Sequence, residues 1–176
     1  MNEILFYIAQ GLGAVAVVLG FLSFIQKRKA VILILQLTTA LVFTAHYVLL
    51  KAYSAVPLNF LAAIACVFYY WLDKKEKRVP AVPVIFAVLT AILGILAWEG
   101  WHSALVIIGV VVSTLGLALP TPKLTRYVVL VKSPLCLAYN AVVFSVGGVV
   151  YECAILLSAI LGLIRDRKEE KISHGI

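Results

Sequence analysis

Residues 4–50 read ILFYIAQGLGAVAVVLGFLSFI (4–25), then QKRK (26–29), then AVILILQLTTALVFTAHYVLL (30–50). Each apolar run matches the roughly 20 residues that a helix needs to cross the hydrocarbon core of a bilayer. Neither run alternates with period two, as a barrel strand does, so the backbone polar groups have to be satisfied within helices. The stretch therefore reads as a membrane helical hairpin with Lys27, Arg28 and Lys29 at its bend. Glu3 precedes the first run and no Lys or Arg does, so the basic start of a secretory signal is missing and a retained first helix is expected.

The same pattern continues through the chain. Further apolar segments occupy 55–72, 81–98, 103–119, 124–144 and 149–164, which makes seven expected transmembrane helices in an all-α membrane protein. The 176 residues are 64% hydrophobic and 13% charged, with a mean hydropathy of +1.08. A soluble domain of this size leaves too much of its surface in water to hide so much apolar area. The net charge of +7 suggests a nucleic-acid partner only until its distribution is seen. The basic residues stand in short clusters between apolar runs, as topology signals do. With the N-terminus outside, the inner segments hold Lys27, Arg28 and Lys29; Lys74, Lys75, Lys77 and Arg78; Lys123 and Arg126; and Arg165, Arg167, Lys168 and Lys171. That leaves Lys51 in an outer loop and Lys132 inside a span. The positive-inside rule then gives N-terminus out and C-terminus in. Cys66, Cys136 and Cys153 all lie in apolar runs without a CxxC spacing and read as reduced packing residues.

An internal repeat organises the chain. A shift of 93 residues lays His46-Tyr47 on Tyr139-Asn140, Asn59 on Glu152, and Asp73-Lys74-Lys75-Glu76 on Asp166-Arg167-Lys168-Glu169. Spans one to three superpose on spans five to seven, and the fourth is left over. Three spans is an odd number, so the extra helix makes the two repeats parallel, a known transporter plan. The expected units are a first three-helix repeat at 1–78, a linker helix at 79–100, a second repeat at 101–168 and a cytoplasmic tail at 169–176, with fraying from Arg165 onward. Small residues Gly13, Ala16 and Gly20, and Gly109, Ser113 and Gly116, occupy matching regions and read as helix-packing positions.

The stretch Leu22-Ser23-Phe24-Ile25-Gln26-Lys27-Arg28-Lys29, followed by Leu35-Gln36, Phe43-Thr44-Ala45-His46-Tyr47-Val48-Leu49-Leu50 and Asn59, resembles the bacterial inner-membrane YgjV family. The likeness covers about the first 75 residues. The 3+1+3 plan is similar to that of the SWEET and PQ-loop (MtN3-like) superfamily. The resemblance implies a multi-pass protein of the bacterial inner (plasma) membrane, with two three-helix bundles joined by an inversion helix around a central cavity. The chain departs from the superfamily in two ways. No Pro-Gln dipeptide ends the first or fifth span. Sugar transporters of the superfamily carry an asparagine on the third helix of each bundle; Asn59 fits the first place, but Glu152 stands at the second, which argues against a neutral sugar.

A polar side chain in hydrocarbon is costly unless paired, so intramembrane polar residues are functional candidates by default. Span two carries Gln36, Thr39 and His46 near one stripe, and span six carries Lys132, Ser133, Cys136, Tyr139 and Asn140 on the equivalent stripe. At about 1.5 Å rise per residue, His46, Asn59, Tyr139, Asn140 and Glu152 fall in one outer layer and are the candidate solute-binding residues. Glu152 there can bind a cationic or hydroxylated solute, or exchange a proton with His46. Lys132, Pro134, Gln36 and Thr39 are the candidate gate or anion contacts, with Pro134 kinking the sixth span. Plainer readings stand beside these: Glu152 solvated at the outer interface, His46 and Asn59 as ties between helices, Lys132 snorkelling to the inner surface. No metal-ligand set, no HExxH and no Gly-x-Ser-x-Gly is present, so neither an enzyme nor a cofactor is expected. The expected function is small-solute transport by alternating access through a cavity between the repeats. The alternative is a ligand-sensing or sorting receptor of the same fold, for which the short loops offer little surface. The expected partners are the lipid bilayer and an unidentified small solute, with no nucleic acid and with self-association left open.

Overall fold

The apolar runs form seven helices: α1 (Glu3–Ile25), α2 (Lys29–Leu50), α3 (Ala55–Lys74), α4 (Ala81–Leu96), α5 (Trp101–Leu117), α6 (Pro122–Val142) and α7 (Val146–Ser173). The structure, a computed structural model, describes residues 3–26, 28–77, 79–119 and 122–173. Lys27 and Arg78 of the basic clusters, residues 174–176 of the tail and the side chains of Lys168 and Lys171 lie outside the described residues. Proline marks helix starts: Pro57 and Pro83 lie in the first turns of α3 and α4, and Pro122 opens α6, where backbone N–H groups have no helical acceptor. Pro134 is the exception, inside α6, and removes the helical donor to the Leu130 carbonyl.

By length and apolar composition α1, α2, α3 and α7 are each able to cross a bilayer; α4 and α5 are apolar but run only 16 and 17 residues. The outer surface is largely apolar, and polar side chains are buried beside the apolar core. Val84, Ile85, Val88, Ile92 and Ile95 of α4 are exposed, while Thr39, His46, Lys132, Asn140 and Glu152 are buried. That distribution suits a lipid solvent and opposes an aqueous one. The expected fraying from Arg165 does not occur, because α7 continues to Ser173. Strong helix formers fill that stretch, and Asp166 is held by an ion pair with Arg126 of α6.

Helices α1, α2, α3, α5, α6 and α7 form a ring in that order, closed by contacts of α1 with α7 and of α3 with α5. Helix α4 packs on α3 and α5. Among the described residues the backbones of α1 and α3 stay apart, as do those of α5 and α7. Helix α2 therefore lies between α1 and α3, and α6 between α5 and α7. The polar stripes on α2 and α6 meet across the ring, where Tyr47 OH donates to Asn140 Oδ1 at 2.6 Å.

The 93-residue register reappears in backbone geometry. Helices α2 and α6 end at Lys51 and Phe144, both left-handed, with φ of 58° and 55°. After each, the same pair of capping bonds forms: Lys51 N–H to Val48 O and Ala52 N–H to Tyr47 O, then Phe144 N–H to Ala141 O and Ser145 N–H to Asn140 O. Asp73 and Asp166 repeat the pattern at the other end. The first pairs with Lys29 at 3.4 Å, the second with Arg126, each a cation near the start of the preceding helix. The closure of the ring depends on two glycines. A Cβ on Gly147 of α7 would lie 2.5 Å from Gly13 Cα of α1, so neither helix tolerates a side chain there. The other small residues expected to pack do so: Ala16 is fully buried, and Gly20, Gly109 and Gly116 abut side chains of neighbouring helices.

Candidate functional site

Helices α6 and α7 are antiparallel and joined by a three-residue turn, which sets Lys132 and Glu152 side by side. Lys132 Nζ donates to both carboxylate oxygens of Glu152, at 2.9 and 3.1 Å. The two side chains are 10% and 6% exposed. The same ammonium lies 5.5 Å from the centre of the Tyr151 ring. Lys132 thus turns inward and does not snorkel, and Glu152 is not a solvated interface residue. Two charges taken out of water cost several kcal/mol each unless they compensate one another, and here they do.

The pair sits on the wall of a cavity of about 100 Å³ between α2, α3, α5, α6 and α7. Gln36, Thr39, Asn59, Tyr139 and Asn140 border it with them. Three of these are tied to their own or the next helix: Thr39 Oγ1 donates to Leu35 O at 2.8 Å, Gln36 Nε2 to Ser23 Oγ at 3.0 Å, and Asn59 Nδ2 to Ala55 O at 2.9 Å. Asn140 accepts from Tyr47, as above. Tyr139 and Ser54 share a hydroxyl–hydroxyl bond of 2.9 Å, Ser54 N–H donates to Glu99 Oε2 at 2.7 Å, and Glu99 N–H donates to Ser103 Oγ at 3.0 Å. This chain of bonds runs from Tyr139 on the cavity wall, at the end away from the basic loops, and joins the start of α3, the α4–α5 turn and α6.

Two of the nine expected site residues lie elsewhere. His46 does not border the cavity. Its Nδ1 faces Ala9 O at 2.6 Å and its Nε2 faces Ser145 Oγ at 2.7 Å, with the ring fully buried. A carbonyl only accepts, so Nδ1 carries a proton. Ser145 Oγ also accepts from Gly148 N–H at 3.1 Å, so both ring nitrogens and the hydroxyl lie in one local set of bonds. The expected proton exchange between His46 and Glu152 is therefore withdrawn: both ring nitrogens are spent on a tie between α1, α2 and the turn before α7. Pro134 also lies off the cavity, one residue from Ser133, whose buried hydroxyl has no partner among the described residues.

Several residues at the cavity were not expected from the sequence. Tyr47, Cys66 and Tyr151 line it, and Ser54 and Glu99 continue the hydrogen bonds that start from Tyr139 on its wall. The 100° step between His46 and Tyr47 allows only one to face inward, and the apolar neighbours of both in α2 gave no preference.

At its basic end the cavity meets Leu117, which also borders a wider cleft of about 550 Å³ lined by Lys29, Asp73, Glu76, Lys77 and Pro80. Tyr69 OH donates to Thr114 O at 3.2 Å beside this constriction. Polar cavity and open cleft are thus neighbours separated by one layer of side chains. No group of three or more His, Cys, Asp or Glu able to hold a metal ion occurs among the described residues.

The family model Imp-YgjV, described as a bacterial inner membrane protein, matches residues 7–170, and the chain belongs to that family. The match extends well past the stretch that carries the sequence resemblance. No curated protein and no solved structure matches the chain.

Proposed function

We propose that this inner membrane protein is a small-solute transporter that works by alternating access through the cavity between its two repeats. The observation that carries the reading is the buried Lys132–Glu152 pair on the wall of a cavity that adjoins a cleft at its basic end. A buried ion pair is a weak source of stability compared with an apolar core, and intramembrane ionisable residues facing a cavity mark solute or ion pathways. The charge distribution supports seven spans with the N-terminus outside, so the cleft faces the cytoplasm. The 93-residue register supports two parallel repeats on either side of α4, the plan of the SWEET and PQ-loop transporters.

In this reading the state described is closed outside and nearly open inside. The Tyr139–Ser54–Glu99 chain is the outer closure, and Leu117 with Tyr69 and Thr114 is the inner constriction. Rocking of one repeat against the other exchanges the two. The ion pair stays on α6 and α7 of one repeat, so its charges remain compensated whichever end is open. The test is efflux from proteoliposomes loaded with a panel of small polar solutes, comparing wild type with Lys132→Gln/Glu152→Gln. At least one solute should leave faster than from empty vesicles and lose that advantage in the double variant. No solute moving faster than the vesicle background would overturn the proposal.

A further inference from the structure

The charges of the cavity restrict what it can hold. Lys132 and Glu152 are the charged residues on its wall, and they sum to zero. Each is fully committed to the other, with Nζ reaching both carboxylate oxygens at 2.9 and 3.1 Å. A cationic solute that took Glu152 would strand Lys132, and an anionic solute that took Lys132 would strand Glu152. Either leaves an uncompensated charge in a site almost without solvent, the costliest outcome for a buried pair.

A solute with both charges meets neither penalty. Its carboxylate accepts from Lys132 Nζ while its ammonium donates to Glu152. One ion pair becomes two, and no charge is left alone. The ammonium has further hydrogens to donate, and the partly buried Asn59 on the cavity wall offers an acceptor: its Nδ2 is spent on Ala55 O, and no partner falls on its Oδ1 among the described residues. The local backbone can yield to the insertion. Lys132 lies two residues before Pro134, where α6 lacks one helical bond and the Ser133 hydroxyl is unpartnered.

Volume narrows the class. An apolar cavity of about 150 Å³ takes the six heavy atoms of a benzene ring, so about 100 Å³ has room for roughly four heavy atoms, and parting Lys132 from Glu152 makes room for a fifth. That is the size of the smallest amino acids. We infer, building on the transporter reading above, that the solute is a small zwitterion, with an ammonium and a carboxylate a few bonds apart, held between Lys132 and Glu152.

The test is binding of radiolabelled glycine to the purified full-length protein in lipid nanodiscs. Acetate, methylammonium and ethylene glycol serve as size-matched anion, cation and neutral competitors. Glycine should bind saturably, unlabelled alanine should displace it, and the three competitors in large excess should not. Lys132→Gln/Glu152→Gln should weaken glycine binding by about tenfold or more, and the charge-reversed Lys132→Glu/Glu152→Lys should recover most of it, since the pair's neutrality returns. That recovery separates recognition from a merely structural role, and monodispersity of each variant on gel filtration checks folding. Three results overturn the inference: no saturable glycine binding, displacement by acetate or methylammonium alone, or glycine binding unchanged in the double Gln variant. Ethylene glycol or another uncharged solute crossing proteoliposomes while glycine neither binds nor crosses would sink the zwitterion and leave the transporter standing. Absence of flux for every solute would sink both.

Discussion

Replacing Glu152 with Gln leaves Lys132 charged in a place where its side chain is 10% exposed and its remaining neighbour is an aromatic ring at 5.5 Å. Breaking a buried pair by removing one partner costs about 3–5 kcal/mol, because the other charge is stranded. For a chain of this length each kcal/mol corresponds to a midpoint shift of about 2–4 °C, so Glu152→Gln should melt roughly 10 °C below wild type. Lys132→Met should cost a similar amount by stranding the carboxylate. The double variant Lys132→Met/Glu152→Gln strands nothing and should lie within about 2 kcal/mol of wild type, since neutral replacement of a buried pair is often close to neutral. The two single losses therefore should not add; the coupling energy should be about 3 kcal/mol or more. The assay is thermal unfolding in detergent followed by fluorescence of Trp71, Trp98 and Trp101, repeated by denaturant titration in bicelles. Single variants within about 1 kcal/mol of wild type, or a double variant as damaged as the sum of the singles, would show that the two groups are solvated or apart.

The other expected outcomes follow from packing and hydrogen bonds. Gly147→Ala should destabilise by about 1–3 kcal/mol, because its new methyl meets Gly13 backbone at 2.5 Å, whereas Gly11→Ala, with nothing within 4 Å, should be neutral or slightly stabilising in the same unfolding assay. His46→Ala should cost about 2–4 kcal/mol by removing the ring's bonds to Ala9 O and Ser145 Oγ, yet leave glycine binding to the folded fraction unchanged, since the ring does not border the cavity. Tyr139→Phe removes the Ser54 bond of the outer closure; at about 1 kcal/mol it should raise outer-side labelling of a cavity thiol about fivefold, measured by mass spectrometry.

Much of the fold is legible before any coordinates, because a bilayer makes apolar length informative. Helix ends fall within about two residues of the expected ones through α6, where turns carry Pro, Gly or clustered charge. Helix α7 escapes this reading: its apolar run ends at Ile164, but the helix follows backbone propensity on to Ser173. The repeat is visible as a 93-residue shift, and Lys51 with Phe144 shows why it was faint. The two positions share a left-handed φ and no side-chain chemistry, so the likeness resides in the backbone.

The candidate site was only half legible. A polar residue inside an apolar run announces itself, which is why Gln36, Thr39, Asn59, Lys132, Asn140 and Glu152 were all noticed. Their pairing was not. Counting rise from the turn puts Lys132 about 15 Å deep and Glu152 about 9 Å deep, hence in different layers. The lysine stem, roughly 6 Å long, spans that difference. The Ser54–Glu99 bond joins residues 45 apart, and no local signal links them.

The most direct test of alternating access is the side from which the cavity can be reached. A thiol at Ser113→Cys, on the cavity wall, in a background with Cys66, Cys136 and Cys153 replaced by serine, can be exposed to a small impermeant methanethiosulfonate from one face of the membrane at a time. The account predicts modification from both faces, faster from the basic end where the cleft adjoins the cavity, and slowed from both by a bound solute. Modification from one face alone, whatever the solute and conditions, would contradict it.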